Sequence, residues 1–350
     1  MNIIGKALRF TNFGESHGPA IGGVLDGMPA GIILDLDAVQ MELDRRRPGA
    51  SPVATGRREA DQLQVLSGLF EGRTTGTPIA FIIENQDARP ADYDAFRQVL
   101  RTGHADATYL YKYGIRDHRG GGRSSARIHA STVAAGAMAR QLIASVGMSV
   151  NAFASQIGTI VLETRYGQLN LDNVYSSPVR CPDEATGKNM ESALMEARED
   201  GDTLGGCVTC IVRGCPRGLG EPVFGKLQSM LAAAMLNINA VKGFEYGDGF
   251  AMAGMRGSQL YSEPDFGNHG GGILGGISNG ADITMRVAFK PIATMMRPVN
   301  AEYTDGSCRE FRAKGRHDVC AVPRAVPVVE AMACLTLADA LLLGTIANKC

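Results

Sequence analysis

Short apolar runs separated by polar turns are the clearest pattern along this chain of 350 residues. The runs at 79–83 (IAFII), 208–212 (VTCIV) and 283–289 (ITMRVAF) are rich in β-branched and aromatic residues. Runs of this length and composition, bounded by glycine, proline and polar residues, favour β-strands. We therefore predict strands at these three places.

Longer segments with a helical spacing of apolar positions lie between and around these runs. The segment 37–47 begins with aspartate and ends with three arginines, which complements the helix dipole, and Pro48 follows it. Because strands and helices do not alternate regularly, the pattern predicts an α+β fold rather than a doubly wound parallel sheet. We expect one domain over residues 1–350, with helices at 37–47, 131–146, 223–236 and 328–343.

Composition argues against nucleic acid and membrane as partners. The formal net charge is −1 and tryptophan is absent, so the chain has neither a global basic field nor many aromatic side chains for base stacking. The stretch 326–343 is apolar enough to resemble a membrane span, but Glu330 and Asp339 interrupt it. We therefore predict a buried or oligomer-facing helix there.

Eight cysteines are spread over the chain without the density of a disulfide scaffold. The N-terminal segment has no apolar signal core, so we expect a cytoplasmic protein with free thiols. Cys207 and Cys210 form a C-x-x-C pair, but they lie in a β-branched run rather than at a helix start. Without a second ligand pair at matching spacing, we predict core cysteines and no metal site.

The segment 120–127 (GGGRSSAR) is the most informative stretch for ligand binding. Glycines let backbone N–H groups approach a ligand, and arginine matches the geometry of phosphate or carboxylate. The helix predicted at 131–146 would add the favourable dipole of its N-terminus. We interpret this segment as a binding site for a phosphorylated ligand. The alternative is a solvated basic turn before the helix.

Two motifs formally match a serine hydrolase. Residues 14–18 (GESHG) fit G-x-S-x-G with Ser16 as the nucleophile, and residues 269–272 (HGGG) resemble an oxyanion loop. In that fold the oxyanion loop precedes the nucleophile, and here the order is reversed, so a hydrolase remains a minor alternative. The G-x-G-x-x-G at 270–275 lacks a preceding apolar strand, which disfavours a dinucleotide fold.

Three of the six histidines, His17, His104 and His317, lie in polar loops that contain glycine. A histidine beside an anion is a natural general acid at neutral pH. For His118 and His129 we expect structural roles instead. Asp318, directly after His317, is expected either to relay a proton or to form a salt-bridged turn.

Several long segments, in order along the chain, carry a resemblance to a known family. The segments are FGESHG (13–18), DRRRPG (44–49), LSGLFEGRTTGTPIA (66–80), GHADATYLYKYGIRDHRGGGRSSAR (103–127), GLGEPVF (218–224), NINAVKGFEYGDGF (237–250), NHGGGILGGISNG (268–280) and GRHDVCAVPRAVPVVEAM (315–332). Together they resemble the chorismate synthases. The resemblance implies a β-α-β sandwich with helices packed between antiparallel sheets, a homotetramer, and reduced FMN as cofactor.

The resemblance implies a reaction in the shikimate pathway of aromatic amino acid biosynthesis. Phosphate and a C6 hydrogen would leave opposite faces of 5-enolpyruvylshikimate 3-phosphate to give chorismate, with no net redox change. By resemblance, His104 protonates the departing phosphate and His17 lies by the pyrimidine edge of the flavin. Asp318 would assist proton removal through flavin N5.

The resemblance also assigns binding residues. Arg46, Arg127 and Arg316 would hold anionic groups of the substrate, and at Arg46 the anion could instead be a phosphate of NADPH, the possible reductant of the flavin. FMN would lie near Arg123, Ser124, Ser125, Asn239, Ala240, Gly275, Lys290, Pro291, Ile292, Ala293, Thr294 and Arg316.

The chain departs from the family pattern at three places. Pro52 stands where many members carry a basic residue, and Ile128 and His129 stand where Glu-Thr is usual. Residues 292–294 (IAT) replace Thr-Ser-Ser and remove two hydroxyls. A flavin- or phosphate-binding homologue with impaired catalysis is therefore an alternative, although the presence of His17, His104 and Asp318 together favours activity. Whether the protein reduces its own FMN or relies on an external reductase is left open.

Overall fold

The computed structural model describes residues 2–47, 59–87, 90–261, 268–313 and 318–347. The strands within them are β1 (Ile3–Ile4), β2 (Arg9–Gly14), β3 (Ala20–Asp26), β4 (Leu63–Val65), β5 (Leu69–Phe70), β6 (Arg73–Thr74), β7 (Ile79–Glu84), β8 (Val99–Leu100), β9 (Ser149–Ile157), β10 (Ile160–Val161), β11 (Gly206–Arg213), β12 (Val241–Tyr246), β13 (Ile273–Leu274), β14 (Ile277–Ser278), β15 (Ile283–Phe289), β16 (Val299–Tyr303) and β17 (Cys308–Phe311). The α-helices are α1 (Leu36–Arg46), α2 (Asp106–Tyr113), α3 (His129–Ala144), α4 (Glu184–Glu199), α5 (Leu227–Leu236), α6 (Gly257–Leu260) and α7 (Val322–Ala347).

Two five-stranded antiparallel sheets dominate the fold. The first has the order β1-β2-β3-β7-β4, and the second has the order β10-β9-β11-β15-β12. The predicted strands at 79–83, 208–212 and 283–289 are confirmed as β7, β11 and β15. All three are inner strands with a neighbour on each side, and the side chains of their apolar residues alternate into the core.

Helices α3 and α7 pack against each other between the two sheets. Their axes come close because α3 carries Gly136 at the crossing: a Cβ added there would lie 2.4 Å from the Cα of Ala331. On either side of this pair, α3 contacts β3 and β7 of the first sheet, while α7 contacts β9 and β11 of the second. The α+β sandwich with helices between antiparallel sheets is therefore confirmed.

The observed helix bounds correct two predictions. The helix predicted at 223–236 begins only at Leu227, after a loop that contains Gly225 with φ +85°. The helix predicted at 328–343 is longer, since α7 continues through Pro327 to Ala347. Proline removes one backbone donor, but 83% of an apolar stretch of 18 residues within 322–344 is buried, and this burial outweighs the lost hydrogen bond. That burial also confirms the buried-helix interpretation of 326–343.

Cys207 and Cys210 lie on β11, as their β-branched surroundings predicted. Cys210 is fully buried, and burial raises the pKa of its thiol well above the ordinary value. This thiol therefore stays protonated and packs as a small apolar side chain.

Candidate active site

Loops from distant parts of the chain meet around one cavity of about 570 Å³, a size that suits small organic ligands. It lies where the loop after β2, the glycine-rich turn, the α5–β12 turn, the segment after β15 and the start of α7 come together. The predicted site residues that line it are His17, Arg46, His104, Ser124, Ser125, Arg127, Asn239, Ala240, Lys290, Pro291, Ile292, Ala293, Thr294 and Asp318.

The glycine turn at 120–122 passes between the two predicted catalytic histidines. Its three glycines have φ of +64°, +84° and +51°, a region that side chains disfavour. A Cβ on Gly120 would lie 2.2 Å from the ring of His17, and a Cβ on Gly121 would lie 2.9 Å from the ring of His104. Gly120 and Gly121 are thus required by close packing against the histidines, and the turn sets the separation of these two side chains.

His104 is oriented by a buried carboxylate. Its Nδ1 lies 3.0 Å from Asp106 Oδ1 and 3.1 Å from Arg101 Nη2. Burial lowers the pKa of His104, and Arg101 and Lys290 act in the same direction, against the hydrogen bond with Asp106. Since Nδ1 is engaged, Nε2, which lies against Gly121, is the nitrogen that can meet a ligand.

Asp106 remains ionised in this arrangement. Burial alone would raise its pKa, but the hydrogen bonds with His104 and Arg101 hold the pKa far below the ordinary range. Arg101 Nε donates to Asp106 Oδ2 at 2.7 Å, and Arg116 lies 3.1 Å from the other oxygen. This group of charges holds the first turn of α2, and with it the imidazole of His104.

His17 lies on the other side of the glycine turn. Its Nδ1 is 3.0 Å from Ser16 Oγ, and its ring meets the edge of Tyr93 at a centroid distance of 4.7 Å. The imidazole is almost completely buried, so its position in the cavity wall is fixed by packing.

The same geometry disfavours the serine hydrolase. Ser16 is fully buried, which leaves its hydroxyl no access to a substrate. The HGGG segment does not line the cavity; His269 instead pairs with Asp248, with Nδ1 and Oδ2 2.5 Å apart. Nucleophile and oxyanion loop are therefore not brought together.

Arg46 and Arg127 share a buried carboxylate. Arg46 Nη1 lies 3.2 Å from Asp61 Oδ2, and Arg127 Nη1 contacts Asp61 Oδ1. Burial would raise the pKa of Asp61, but the two guanidinium groups outweigh it and lower the pKa. Arg46 also donates to the carbonyl of Ala126 at 2.9 Å, and Arg127 Nε donates to Asn85 Oδ1 at 2.9 Å. Both arginines line the cavity, although most of their guanidinium N–H groups donate to other protein groups. They therefore hold the cavity wall in place and also give it positive charge.

Backbone and amide hydrogen bonds join the predicted cofactor segments. The side-chain amide of Asn239 donates to the carbonyl of Ser124. The backbone N–H of Lys290 donates to the carbonyl of Ala240 at 3.0 Å, and its ammonium group donates to the carbonyl of Gly103. Segments more than a hundred residues apart in sequence therefore form one wall of the cavity.

Asp318 forms an ion pair with Arg324 at the start of α7, with Oδ2 and Nη1 2.5 Å apart. This supports the salt-bridged alternative for Asp318 without removing it from the cavity. Arg324 Nε is buried and has no hydrogen-bond partner among the described residues. A buried donor of this kind is well placed for an oxyanion of a ligand.

Two predicted cofactor residues, Arg123 and Gly275, stand apart from this cavity. Arg123 turns its guanidinium to strand β2, where Nη1 donates to Asn12 Oδ1 at 2.6 Å and to the carbonyl of Gly14 at 2.9 Å. Gly275 lies in the turn between β13 and β14 and does not line the cavity. Arg316 lies outside the described residues, as does Pro52.

Sequence reasoning missed several residues of the wall. Arg101, Lys242 and Arg324 add positive charge, and His129, which was expected to be structural, lines the cavity. The two-residue spacing of His104 and Asp106 could have indicated an oriented histidine. No local signal marks Lys242 or Arg324, because only the tertiary fold brings β12 and α7 to this place.

The cavity carries an excess of positive charge. Six arginines and lysines line it against three aspartates and glutamates. Among the described residues, no group of three or more His, Cys, Asp or Glu side chains could hold a metal ion. An α+β sandwich with His17 and His104 beside a cationic cavity has the side chains that an enzyme would need for acid–base chemistry on an anionic small molecule.

Comparison with known proteins identifies the family. A family model described as chorismate synthase matches residues 8–342. Chorismate synthase of Bacteroides fragilis is 51% identical over 350 residues, covering 98% of each chain, and that of Porphyromonas gingivalis is 53% identical over 98% of this chain and 96% of its own. A crystal structure of chorismate synthase, 30% identical, superposes with a TM-score of 0.75 and covers 97% of this chain and 93% of that chain.

The chain therefore belongs to the chorismate synthase family. As a member it is a lyase of aromatic biosynthesis.

Proposed function

We propose that this chain eliminates phosphate and a C6 hydrogen from 5-enolpyruvylshikimate 3-phosphate to give chorismate, in the cavity described above. One observation carries the proposal: His17 and His104 flank a single glycine turn in the wall of a cationic cavity that Asp318 also lines. A leaving phosphate requires a proton donor and positive charge, and both are present there.

In this proposal His104 protonates the departing phosphate. Its lowered pKa makes the imidazole neutral in the ligand-free site at neutral pH. A phosphate dianion beside Nε2 would raise that pKa, so His104 would take up a proton as the substrate binds. Asp106 keeps Nδ1 occupied and stabilises the imidazolium that forms.

Asp318 is proposed to assist removal of the C6 hydrogen. Its carboxylate is anchored by the ion pair with Arg324, which fixes its direction. His17, buried against Tyr93, would control charge at the opposite side of the cavity.

The residues present fit a phosphorylated flavin. Lys242, Lys290 and Arg324 supply cationic groups for a phosphate, and Arg324 Nε has no hydrogen-bond partner among the described residues. Ala240, Pro291 and Ile292 offer an apolar wall for a ring. When bound, reduced FMN supplies the electron density that the elimination requires. The missing hydroxyls at 292–293 leave ring binding more dependent on backbone donors. NADPH remains the proposed reductant if the protein reduces its own flavin.

The test is an anaerobic assay with chemically reduced FMN, in which chorismate and phosphate are measured together. Equal formation of both products supports the proposal. Flavin binding without turnover would favour an impaired homologue, and absence of both flavin binding and turnover would contradict the proposed function. Replacing chemical reductant with NADPH then decides between self-reduction and an external reductase.

We further propose a cytoplasmic homotetramer in which each chain is one domain. The continuous set of buried residues that joins both sheets supports the single domain. Exposed aromatic side chains such as Phe224 (91% exposed) and Phe250 (84% exposed) would be covered by neighbouring subunits. Light scattering on the purified protein measures the subunit number directly.

A further inference from the structure

His129, which is buried, and Asn239, which is half-buried, form a hydrogen-bonded pair in the wall of the cavity. His129 Nε2 lies 2.9 Å from Asn239 Oδ1, and both side chains line the cavity. Burial lowers the pKa of His129 to about 4, so the imidazole is neutral near pH 7. This residue stands at the first turn of α3, directly after the glycine-rich segment.

The hydrogen bonds determine the orientation of both groups. The amide nitrogen of Asn239 donates to the carbonyl of Ser124, so its oxygen must face His129. The imidazole therefore donates from Nε2, and Nδ1 is left to accept from the Thr132 hydroxyl 3.3 Å away. The backbone N–H of Asn239 also approaches Nε2, at 3.3 Å, but the tautomer with the proton on Nε2 makes the shorter bond to Oδ1 and leaves Nδ1 free to accept from Thr132.

The turn held by this pair is strained. Ala240 has φ +71°, in the left-handed region that residues with a Cβ adopt rarely. Such a conformation persists only where the surroundings enforce it. On one side the backbone N–H of Lys290 donates to the carbonyl of Ala240, and on the other side His129 binds Asn239.

We infer that His129 is a positioning residue that holds the strained Asn239–Ala240 turn, and through it the 290–294 segment, in the shape of the cofactor wall. The hydrogen bond of His129 with Asn239 joins α3 to the α5–β12 turn. The hydrogen bond between the Ala240 carbonyl and the backbone N–H of Lys290 then joins this turn to the 290–294 segment. The part of the inference that concerns the cofactor rests on the proposed function; the part that concerns the turn does not.

The first measurement uses the ligand-free protein. Amide hydrogen exchange of residues 238–243 and 290–294 is compared between the wild type, His129→Ala and His129→Gln. We expect exchange in both segments to rise roughly 3- to 10-fold in His129→Ala, the loss of one hydrogen bond, and to return toward the wild-type rate in His129→Gln, whose amide can donate to Asn239. Unchanged exchange in His129→Ala overturns the inference, whether or not the protein binds flavin.

Ser131→Ala is the matched control. Ser131 is equally buried on the same turn of α3, but its hydroxyl bonds Ile128 and Asn12 on the side of the first sheet. The Ser131→Ala variant should have a lower thermal stability than the wild type, without faster amide hydrogen exchange at 238–243. An equal rise in both variants would show a general loosening of α3, which contradicts the specific role of His129.

The second measurement is FMN affinity, followed by flavin fluorescence in a double-mutant cycle with Asn239→Ala. Because His129 is inferred to act through Asn239, His129→Ala should weaken binding roughly 3- to 10-fold in the wild-type background and less than about twofold in the Asn239→Ala background. Equal weakening in both backgrounds overturns the positioning role. If the wild type binds no FMN, the proposed cofactor is wrong. The hydrogen-exchange experiment then tests by itself whether His129 holds the Asn239–Ala240 turn.

Discussion

Asp106 decides which nitrogen of His104 can act on a ligand. With Nδ1 3.0 Å from a carboxylate that stays ionised, the proton exchanged with a substrate must sit on Nε2. Arg101, which approaches the same Nδ1, opposes the positive charge that the proposed general-acid role of His104 requires. Ligand charge is therefore needed to complete the site, because the protein alone holds the imidazole neutral.

Replacement of His104 by alanine should lower kcat roughly 10²- to 10⁴-fold, the usual contribution of a general acid. KM should change less, since the cationic groups that hold the anion remain. Anaerobic turnover with reduced FMN measures both constants, and near-normal turnover would remove His104 from the mechanism. Asp106→Asn should lower kcat by a smaller factor and leave KM near the wild-type value.

Two arginines of the cavity should respond differently to substitution. Arg46 is paired with buried Asp61, so Arg46→Ala leaves that carboxylate with Arg127 as its remaining guanidinium partner and should cost roughly 1.5–3 kcal/mol of unfolding free energy, the contribution of a hydrogen bond to a charged group. Arg324 has a buried donor with no partner among the described residues, and its variant Arg324→Ala should mainly weaken phosphate binding. Urea unfolding and inorganic phosphate titration separate the two effects. An Arg46→Ala protein of wild-type stability would contradict the structural role.

At the scale of elements, the two acidic residues that interrupt the apolar run of α7 attach this helix to both sheets. Glu330 Oε1 accepts the backbone N–H of Ala152 on β9 at 2.7 Å. Asp339 Oδ1 accepts the backbone N–H groups of Ala7 and Leu8, between β1 and β2, at 2.7 and 2.9 Å. Glu330 and Asp339, the two residues that argued against a membrane span, therefore connect the helix layer to the two sheets on either side of it.

Asp339→Ala should lower the free energy of unfolding by roughly 3 kcal/mol or more, since each buried donor left without an acceptor costs about 1–3 kcal/mol. Chemical denaturation measures this loss. The matched control is Asp305→Ala, which removes an exposed carboxylate from the β16–β17 turn and should cost less than about 1 kcal/mol. Equal small losses in both variants would show that Asp339 does not hold the β1–β2 connection.

At the scale of the whole molecule, His129 should contribute stability that rises with pH between about 4 and 6.5, while the carboxyl groups of Glu15 and Glu330, whose pKa values burial raises, act in the opposite direction. The pKa of His129 is lowered by burial to about 4, with Arg46 and Arg123 adding to the effect against the bond to Asn239. The unfolded chain therefore binds a proton in this range that the folded chain refuses, and folding weakens as the pH falls. This lowering of the His129 pKa corresponds to roughly 3 kcal/mol of unfolding free energy between the two ends of the pH range. Asp61 and Asp106, whose pKa values are lowered from 3.8, act only below this range.

Urea unfolding at several pH values tests this dependence in the ligand-free protein. His129→Gln, which keeps a donor to Asn239 but cannot titrate, should flatten the slope between pH 4 and 6.5. A variant with the wild-type slope would assign the dependence to other groups, of which His104, also with a lowered pKa, is the next candidate.

Much of this protein follows from its sequence alone, because the signals involved are local. Apolar runs mark inner strands such as β7 and β15. The functional groups of GESHG, GHAD and GGGRSSAR can likewise be recognised from the local sequence, without knowledge of the segments that contact them. Only the tertiary structure decided which groups share the cavity. It turned Arg123 toward β2, paired Arg46 with Asp61, and brought Lys242, Arg324 and His129 to one wall. Side-chain direction and long-range pairing depend on how sheets and helices pack, and no local pattern contains that information.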